Sequence, residues 1–167
     1  MKSGAIEGDK AEAWKQKLKD EKKVKEWREK AEKGDSTAIY NIGVCYDQGR
    51  HGVKRDAAQA RKWYERGANA RHVNLMARYG QCLLCGVGGP SVTALGLVWL
   101  SQAAALGSDL GAMLLGNFLL GQGGLPRDKE QAKFWLRKVV NRECIHTNLT
   151  EKSLEMAARW LRAAEAE

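Results

Sequence analysis

Four cysteines and three histidines are the residues of this 167-residue chain best placed to do chemistry. Cys82-Leu83-Leu84-Cys85 sets two thiols three residues apart. Cys144-Ile145-His146 could add a thiolate and an imidazole, the donor types of a tetrahedral zinc site. The two halves lie 59 residues apart, which weakens that reading. His51, His72 and His146 are dispersed and read as solvent-exposed loop and helix-end residues. None neighbours the nucleophile and orienting carboxylate that acyl transfer needs. Gly86-Val87-Gly88-Gly89-Pro90 has the glycine of a phosphate-binding loop, but no lysine follows and proline closes it. The chain therefore reads as having no catalytic set, no metal and no cofactor. The cysteines are also too few and scattered for a disulfide framework, so reduced thiols in an intracellular compartment are expected. Cytoplasm and organelle interior are not distinguished. No run of apolar residues is long enough to span a membrane.

The elements that carry these residues form a repeat. Trp27, Trp63, Trp99 and Trp135 stand 36 residues apart. Ala60, Gly96 and Ala132 precede the last three by three residues, and upstream Gly43, Gly80 and Gly116 recur at 37 and 36. Tyr46, Leu83 and Leu119 follow those glycines at a fixed offset of three. Each unit reads as two helices. The first, as in Ser36–Gln48, ends in glycine, which reaches the backbone angles that stop a helix. The second starts at a capping aspartate, Asp56 or Asp128, and carries Ala60, Trp63, Tyr64, Gly67 and Ala68 on one face. A glycine in mid-helix is disfavoured by roughly 1 kcal/mol against alanine, so its recurrence predicts a second helix backbone crossing there. Neither helix can bury its apolar face alone, and the units must stack. In this register Cys82 takes the place of Cys45 and Phe118, a packing position rather than a ligand position.

Ile42-Gly43, Tyr46, Gly49, Gly52-Val53, Asp56, Ala60, Trp63 and Ala68 resemble the signature of the Sel-one-like repeat family. Leu115-Gly116, Gly124-Leu125, Asp128, Ala132 and Trp135 match it again. So do Gly80, Gly86, Gly88, Trp99, Ala103-Ala104 and Gly107. The resemblance implies an all-α, right-handed α-α superhelix, a solenoid of about three 36-residue two-helix units with helical caps. Residues 1–35 read as a charged N-terminal helix, the second helix of a partial repeat, and the three repeats span about 36–72, 73–107 and 108–143. Residues 144–167 read as a C-terminal capping helix around Ser153, Ala157, Trp160 and Ala164, its unit's first helix shortened. The expected repeat core is Trp27, Gly43, Tyr46, Ala60, Trp63, Gly80, Trp99, Gly116, Ala132 and Trp135, with the tryptophans buried between helices. Cysteine pairs that staple units in some relatives have no counterpart here, since Ala68, Leu75, Ala104 and Gly111 hold those positions.

Charge is distributed unevenly along these repeats. Residues 1–33 hold 11 basic and 8 acidic side chains, whereas residues 73–125 hold one of each, Arg78 and Asp109. Superposed on the tryptophans, Gln59, Arg61 and Lys62 of repeat one become Leu95, Leu97 and Val98 in repeat two, and Asp47 becomes Leu84. A second helix apolar nearly all round is expected to be covered by something. Leu84, Leu95, Leu97 and Val98 are thus the predicted contact surface for a partner protein. The resemblance implies a non-enzymatic scaffold or adaptor for protein–protein interaction, a structural or assembly subunit of a larger complex. The basic helix over residues 10–33, with Trp14, Leu18, Val24, Trp27 and Ala31 facing inward, reads as a solvated cap. It also sustains a second reading, a basic RNA-associated peripheral subunit of a ribonucleoprotein, or a surface for anionic lipid.

Because the cysteines follow packing positions, folding is expected to need neither metal nor disulfide. Melting temperatures measured with and without chelator, and with and without reductant, should coincide. A drop of several degrees with either reagent would show that the thiols do more than pack.

Overall fold

The computed structural model describes residues 3–121, 127–147 and 149–166. They form eight α-helices: α1 (Ser3–Glu32), α2 (Ser36–Gln48), α3 (Ala57–Asn69), α4 (Val73–Cys85), α5 (Thr93–Ala105), α6 (Asp109–Leu119), α7 (Lys129–Val140) and α8 (Glu151–Ala166). This is an all-α helical-repeat solenoid fold. The repeat match expected at Gly124-Leu125 lies outside the described residues. The chain falls into two compact units, Met1–Trp63 and Tyr64–Glu167.

In the first unit α1 packs on α2. Asp35 caps α2 by accepting the Ala38 amide at 2.8 Å, and α2 closes on Gly49 in the left-handed region (φ 67°). Such a cap satisfies end groups that a helix cannot pair internally. Val24 and Ala31 of α1 are buried, as are Ala38, Ile39, Ile42, Gly43 and Cys45 of α2. Residues 9–19 of α1 are all exposed, Trp14 by 58% and Leu18 by 48%. The inward facing expected of these two is corrected, since their i,i+4 spacing marks a shared face of α1 but supplies no neighbour to cover it.

In the second unit consecutive helices from α4 to α8 pack in chain order, and α4 also lies against α6. The expected backbone crossings occur. A Cβ on Gly80 would stand 3.0 Å from the Gly96 carbonyl oxygen, and one on Gly116 would stand 3.3 Å from that of Ala132. Between α5 and α6, in successive repeats, the approach is as close, a Cβ on Gly111 meeting the Ala104 nitrogen at 2.9 Å. No helix forms among the described residues between α7 and α8, where the sequence predicts a shortened first helix. That stretch of chain is instead laced to the start of α6. The His146 amide donates to Gly107 O (2.9 Å) and the Asp109 amide to His146 O (3.2 Å). The buried Asp109 carboxylate accepts the Leu149 amide at 3.0 Å.

The tryptophans are not the core. Trp27, Trp63, Trp99, Trp135 and Trp160 are all half-buried. The buried line of each second helix runs instead through the positions three before, one after and four after the tryptophan. These are Ala60, Tyr64 and Gly67 in α3, then Gly96, Leu100 and Ala103 in α5. Ala132, Leu136 and Val139 follow in α7, and Ala157, Leu161 and Ala164 in α8. At about 100° per residue, the tryptophan sits on the flank of that line, and its ring lies over the edge of the core. Trp99 meets Tyr79 edge to face at 5.8 Å between centroids. Tyr46 is also half-buried, its hydroxyl accepting from Arg28 at 2.8 Å. Gly43, Gly80, Gly116, Ala60 and Ala132 are buried.

Leu100→Ala should therefore destabilise by about 3 kcal/mol through a cavity, and Trp99→Ala by about 2 kcal/mol because half of its ring is already wet. Urea denaturation of both variants checks the order. A larger loss at Trp99 than at Leu100 would restore the tryptophan as the core residue.

Candidate functional site

The outward side of α5 differs from those of α3 and α7. Its thirteen residues, TALGLVWLSQAAA, hold no charge. Leu95 is 41% and Val98 49% exposed, with Val92 and Leu106 similarly open at the helix ends. With Gln102, these residues make one stripe at helical spacing. Equivalent positions in α3 carry Gln59 and Lys62. In α7 Gln131 precedes Phe134, and the exposed Phe134 ring is capped by the Lys138 ammonium 4.8 Å above it. Val98 has Gln102 at that offset and no such cap.

Two of the four residues predicted for this surface belong elsewhere. Leu84 is buried: its Cγ stands 2.7 Å from where a Gly96 Cβ would be, so it fills the room that glycine leaves. Leu97 is half-buried, on the flank of the buried line opposite Trp99. Its counterparts Arg61 and Lys133 are half-buried too, as long cationic side chains lay their stems along apolar surface. Capping differs among the second helices. Asp56 and Asp128 accept the amides of Gln59 and Gln131, both at 3.0 Å, whereas Val92 gives α5 no side-chain cap. Ser91 turns its hydroxyl to the Leu84 carbonyl at 3.1 Å instead.

In the first unit the structure assembles a cluster that the sequence did not announce. His51 Nδ1 stands 2.7 Å from Asp20 Oδ1, and its ring meets Trp27 edge to face at 5.5 Å. His51 is thus half-buried, and the free solvent exposure expected of it is corrected. It lies in the one-residue-longer loop of repeat one and takes a left-handed conformation (φ 53°). The hydrogen bond from His51 holds the Asp20 carboxyl below the ordinary carboxylate range, against a smaller opposing effect of burial and with help from Gln16. A cleft of about 400 Å³ beside it is lined by Lys25, Arg28 and Lys54, with Glu21 as the acid.

Cys82 is buried, Cys85 exposed and Cys144 half-buried. Among the described residues no three His, Cys, Asp or Glu side chains gather closely enough to hold a metal ion. Burial pushes the Cys45 and Cys144 thiols up, which keeps them protonated. No helix of the described residues is long and apolar enough to cross a membrane.

Stacked helix pairs with glycine crossings define a helical-repeat protein. Residues 36–72, 74–108 and 110–139 each match the Sel1 repeat, and the chain belongs to the Sel1 repeat family. Its repeats are protein-interaction modules. The fold is similar to the crystal structure of a Sel1 repeat protein from Oxalobacter formigenes, with a TM-score of 0.65 and 27% identity, covering 78% of this chain and 49% of that one. In sequence the chain is 31% identical over 109 residues to the DAP3-binding cell death enhancer 1 of Rattus norvegicus. It is 29% identical over 111 residues to the chitin synthase regulator SKT5 of Malassezia restricta. Either match takes in 65% of this chain, but only 20% of the rat protein and 8% of the fungal one.

Because the folded Asp20 carboxyl ionises below its ordinary value, its hydrogen bond supports α1 above the ordinary carboxylate range. That support is lost as pH falls through the folded value. Amide protection factors in α1 around Asp20 should therefore fall below about pH 4. In Asp20→Asn they should be low already at pH 7. Identical protection in wild type and variant at neutral pH would mean that the contact does not anchor the helix.

Proposed function

We propose that the chain is a non-enzymatic scaffold that holds a partner protein on the outer side of α5, as a structural or assembly subunit within a larger complex. The observation that carries this reading is the uncharged α5 with Leu95 and Val98 open to solvent. Apolar stripes of this kind mark interaction surfaces. Covering each of these side chains fully contributes roughly 1.5–3 kcal/mol before the cost of association is subtracted. The partly exposed state already surrenders some of that. A stable, continuously occupied interface suits such a stripe better than a transient one, since repeated exposure invites aggregation. The names of the relatives, one a binding protein and the other a regulator of a synthase, suit a role exercised through contact.

Leu95→Gln with Val98→Lys copies repeat one at both positions and tests the surface. The folded protein should keep its helicity and melt within about 2 °C of wild type, because surface changes alter stability by only about 0.5 kcal/mol. In native extract, the variant should elute at the size of the free chain while wild type elutes with its complex. Unfolding of the variant would place these side chains in the core. A complex that survives would move the contact elsewhere, and if that complex dissolved steeply with salt, the basic α1 and an RNA partner would replace this reading.

A further inference from the structure

The hydrogen bond from His51 to Asp20 ties the long loop of repeat one to α1. Val53 and Lys54 of that loop line an open cleft of about 400 Å³ together with Glu21, Val24, Lys25 and Arg28 of α1. Its charge is uncompensated. Glu21 already faces Lys17 at 4.0 Å, and Asp20 nearby is held by His51. Lys25 and Lys54 are exposed and meet no carboxylate among the described residues. Arg28 gives one N–H to the Tyr46 hydroxyl at 2.8 Å, which leaves the rest of its guanidinium for other acceptors. Three cations on one solvent-open cleft, its acid already paired, favour an anionic occupant.

The cleft continues along the helix. Trp14, Leu18, Glu21, Lys25 and Arg28 stand at spacings of four and three residues, so they run down one side of α1. Trp14 and Leu18 are 58% and 48% exposed and extend that line beyond the cleft as apolar surface. The line thus changes chemistry along its length, from apolar at Trp14 and Leu18 to cationic at Lys25 and Arg28.

We propose that this line binds an acidic segment of a partner protein, its Asp or Glu carboxylates in the cleft and an apolar side chain on Trp14 and Leu18. Arg28 offers a carboxylate a planar fork of N–H donors, and Lys25 and Lys54 act as point charges beside it. A single-stranded nucleic acid suits the line less well. Its bases stack on open aromatic faces, whereas the Trp14 and Trp27 rings each carry a lysine ammonium, Lys17 at 5.5 Å and Lys23 at 4.8 Å. Its phosphates offer nothing to Leu18 or the two valines. The site lies wholly in the first compact unit and shares no residue with the stripe of α5.

The Trp14 indole N–H and the amides of Gly52, Val53 and Lys54 report on both ends of the line in a ¹⁵N-resolved spectrum of the full chain. The probes are N-acetyl-Glu-Asp-Glu-Ala-Leu-Leu-amide, the reverse sequence, the counterpart with Gln-Asn-Gln for the acids, and hexauridylate. Saturable shifts of both sets of signals are expected with an acidic peptide in at least one chain direction. The neutral peptide and hexauridylate should bind at least tenfold more weakly. Lys25→Gln with Lys54→Gln should weaken the acidic peptide at least tenfold and melt within about 2 °C of wild type, since both side chains are exposed. Lys19→Gln with Lys30→Gln removes the same charge from α1 outside the cleft and should alter affinity less than twofold. Leu18→Gln should weaken binding at least threefold. The proposal is overturned by no saturable shift up to on the order of 10 mM peptide, or by equal binding of the neutral peptide. Equal losses in the two double variants would show a diffuse attraction without a site. Unchanged affinity in Leu18→Gln would remove the apolar end, and tighter binding of hexauridylate would replace the peptide with a nucleic acid.

Discussion

The structure depends on how closely two helix backbones approach where α4 and α5 cross. Repeat three crosses a glycine on its first helix with an alanine on its second, Gly116 with Ala132, and repeat one has Gly43 and Ala60 at the equivalent sequence positions. Repeat two has glycine on both, Gly80 and Gly96. Each stands near 3 Å from the other helix by the measure of an added Cβ. Two glycines inside helices lose about 1 kcal/mol apiece in intrinsic propensity, and only dense packing at the crossing offsets that loss. Leu84 and Leu100 supply the density. Both are buried, Leu84 over Gly96 and Leu100 beside Gly80.

That arrangement decides what is left outside. With Leu84 drawn inward, the apolar surplus of repeat two is confined to Leu95, Val98 and the residues at the ends of α5. The flanks of the buried line take Trp99 on one side and Leu97 on the other, so neither is free to form an interface by itself. The neighbouring helices solve the same problem with long cations and a capped aromatic ring. Repeat two leaves the stripe bare. Its single cation, Arg78, is on the opposite layer, in the first helices, with its Nε dehydrated and unmatched.

Much of this is legible in the residues. The spacing of glycines and capping aspartates sets the helix limits, and α2 runs over Ser36–Gln48 as that spacing predicts. Mid-helix glycines announce backbone crossings because no other role suits them. Rotation about the helix axis is less accessible. Trp99 and Leu100 are neighbours in sequence, and only the direction of the packing layer decides which is buried. The counterpart Asp47 argues for an outward Leu84, yet the missing side chain of Gly96 creates the space that draws it in. Contacts across long separations leave no signal at all: the pairing of His51 with Asp20 spans 31 residues and rests on one extra loop residue. Nor does an asparagine or arginine in a helix reveal that its polar atoms are buried and unmatched.

The close crossing in repeat two is most directly tested by a double-mutant cycle joining Gly96→Ala and Leu84→Ala, read by chemical denaturation. In the wild-type background the added methyl has no room beside Leu84 and should destabilise, overpacking outweighing the better helix propensity of alanine. With Leu84 already shortened, the methyl still meets Gly80 O and Leu84 N at 3.0 Å, so the destabilisation should shrink without vanishing, for a coupling on the order of 1–3 kcal/mol. Additive effects, or a Gly96→Ala variant more stable than wild type, would contradict a crossing that places Leu84 over Gly96.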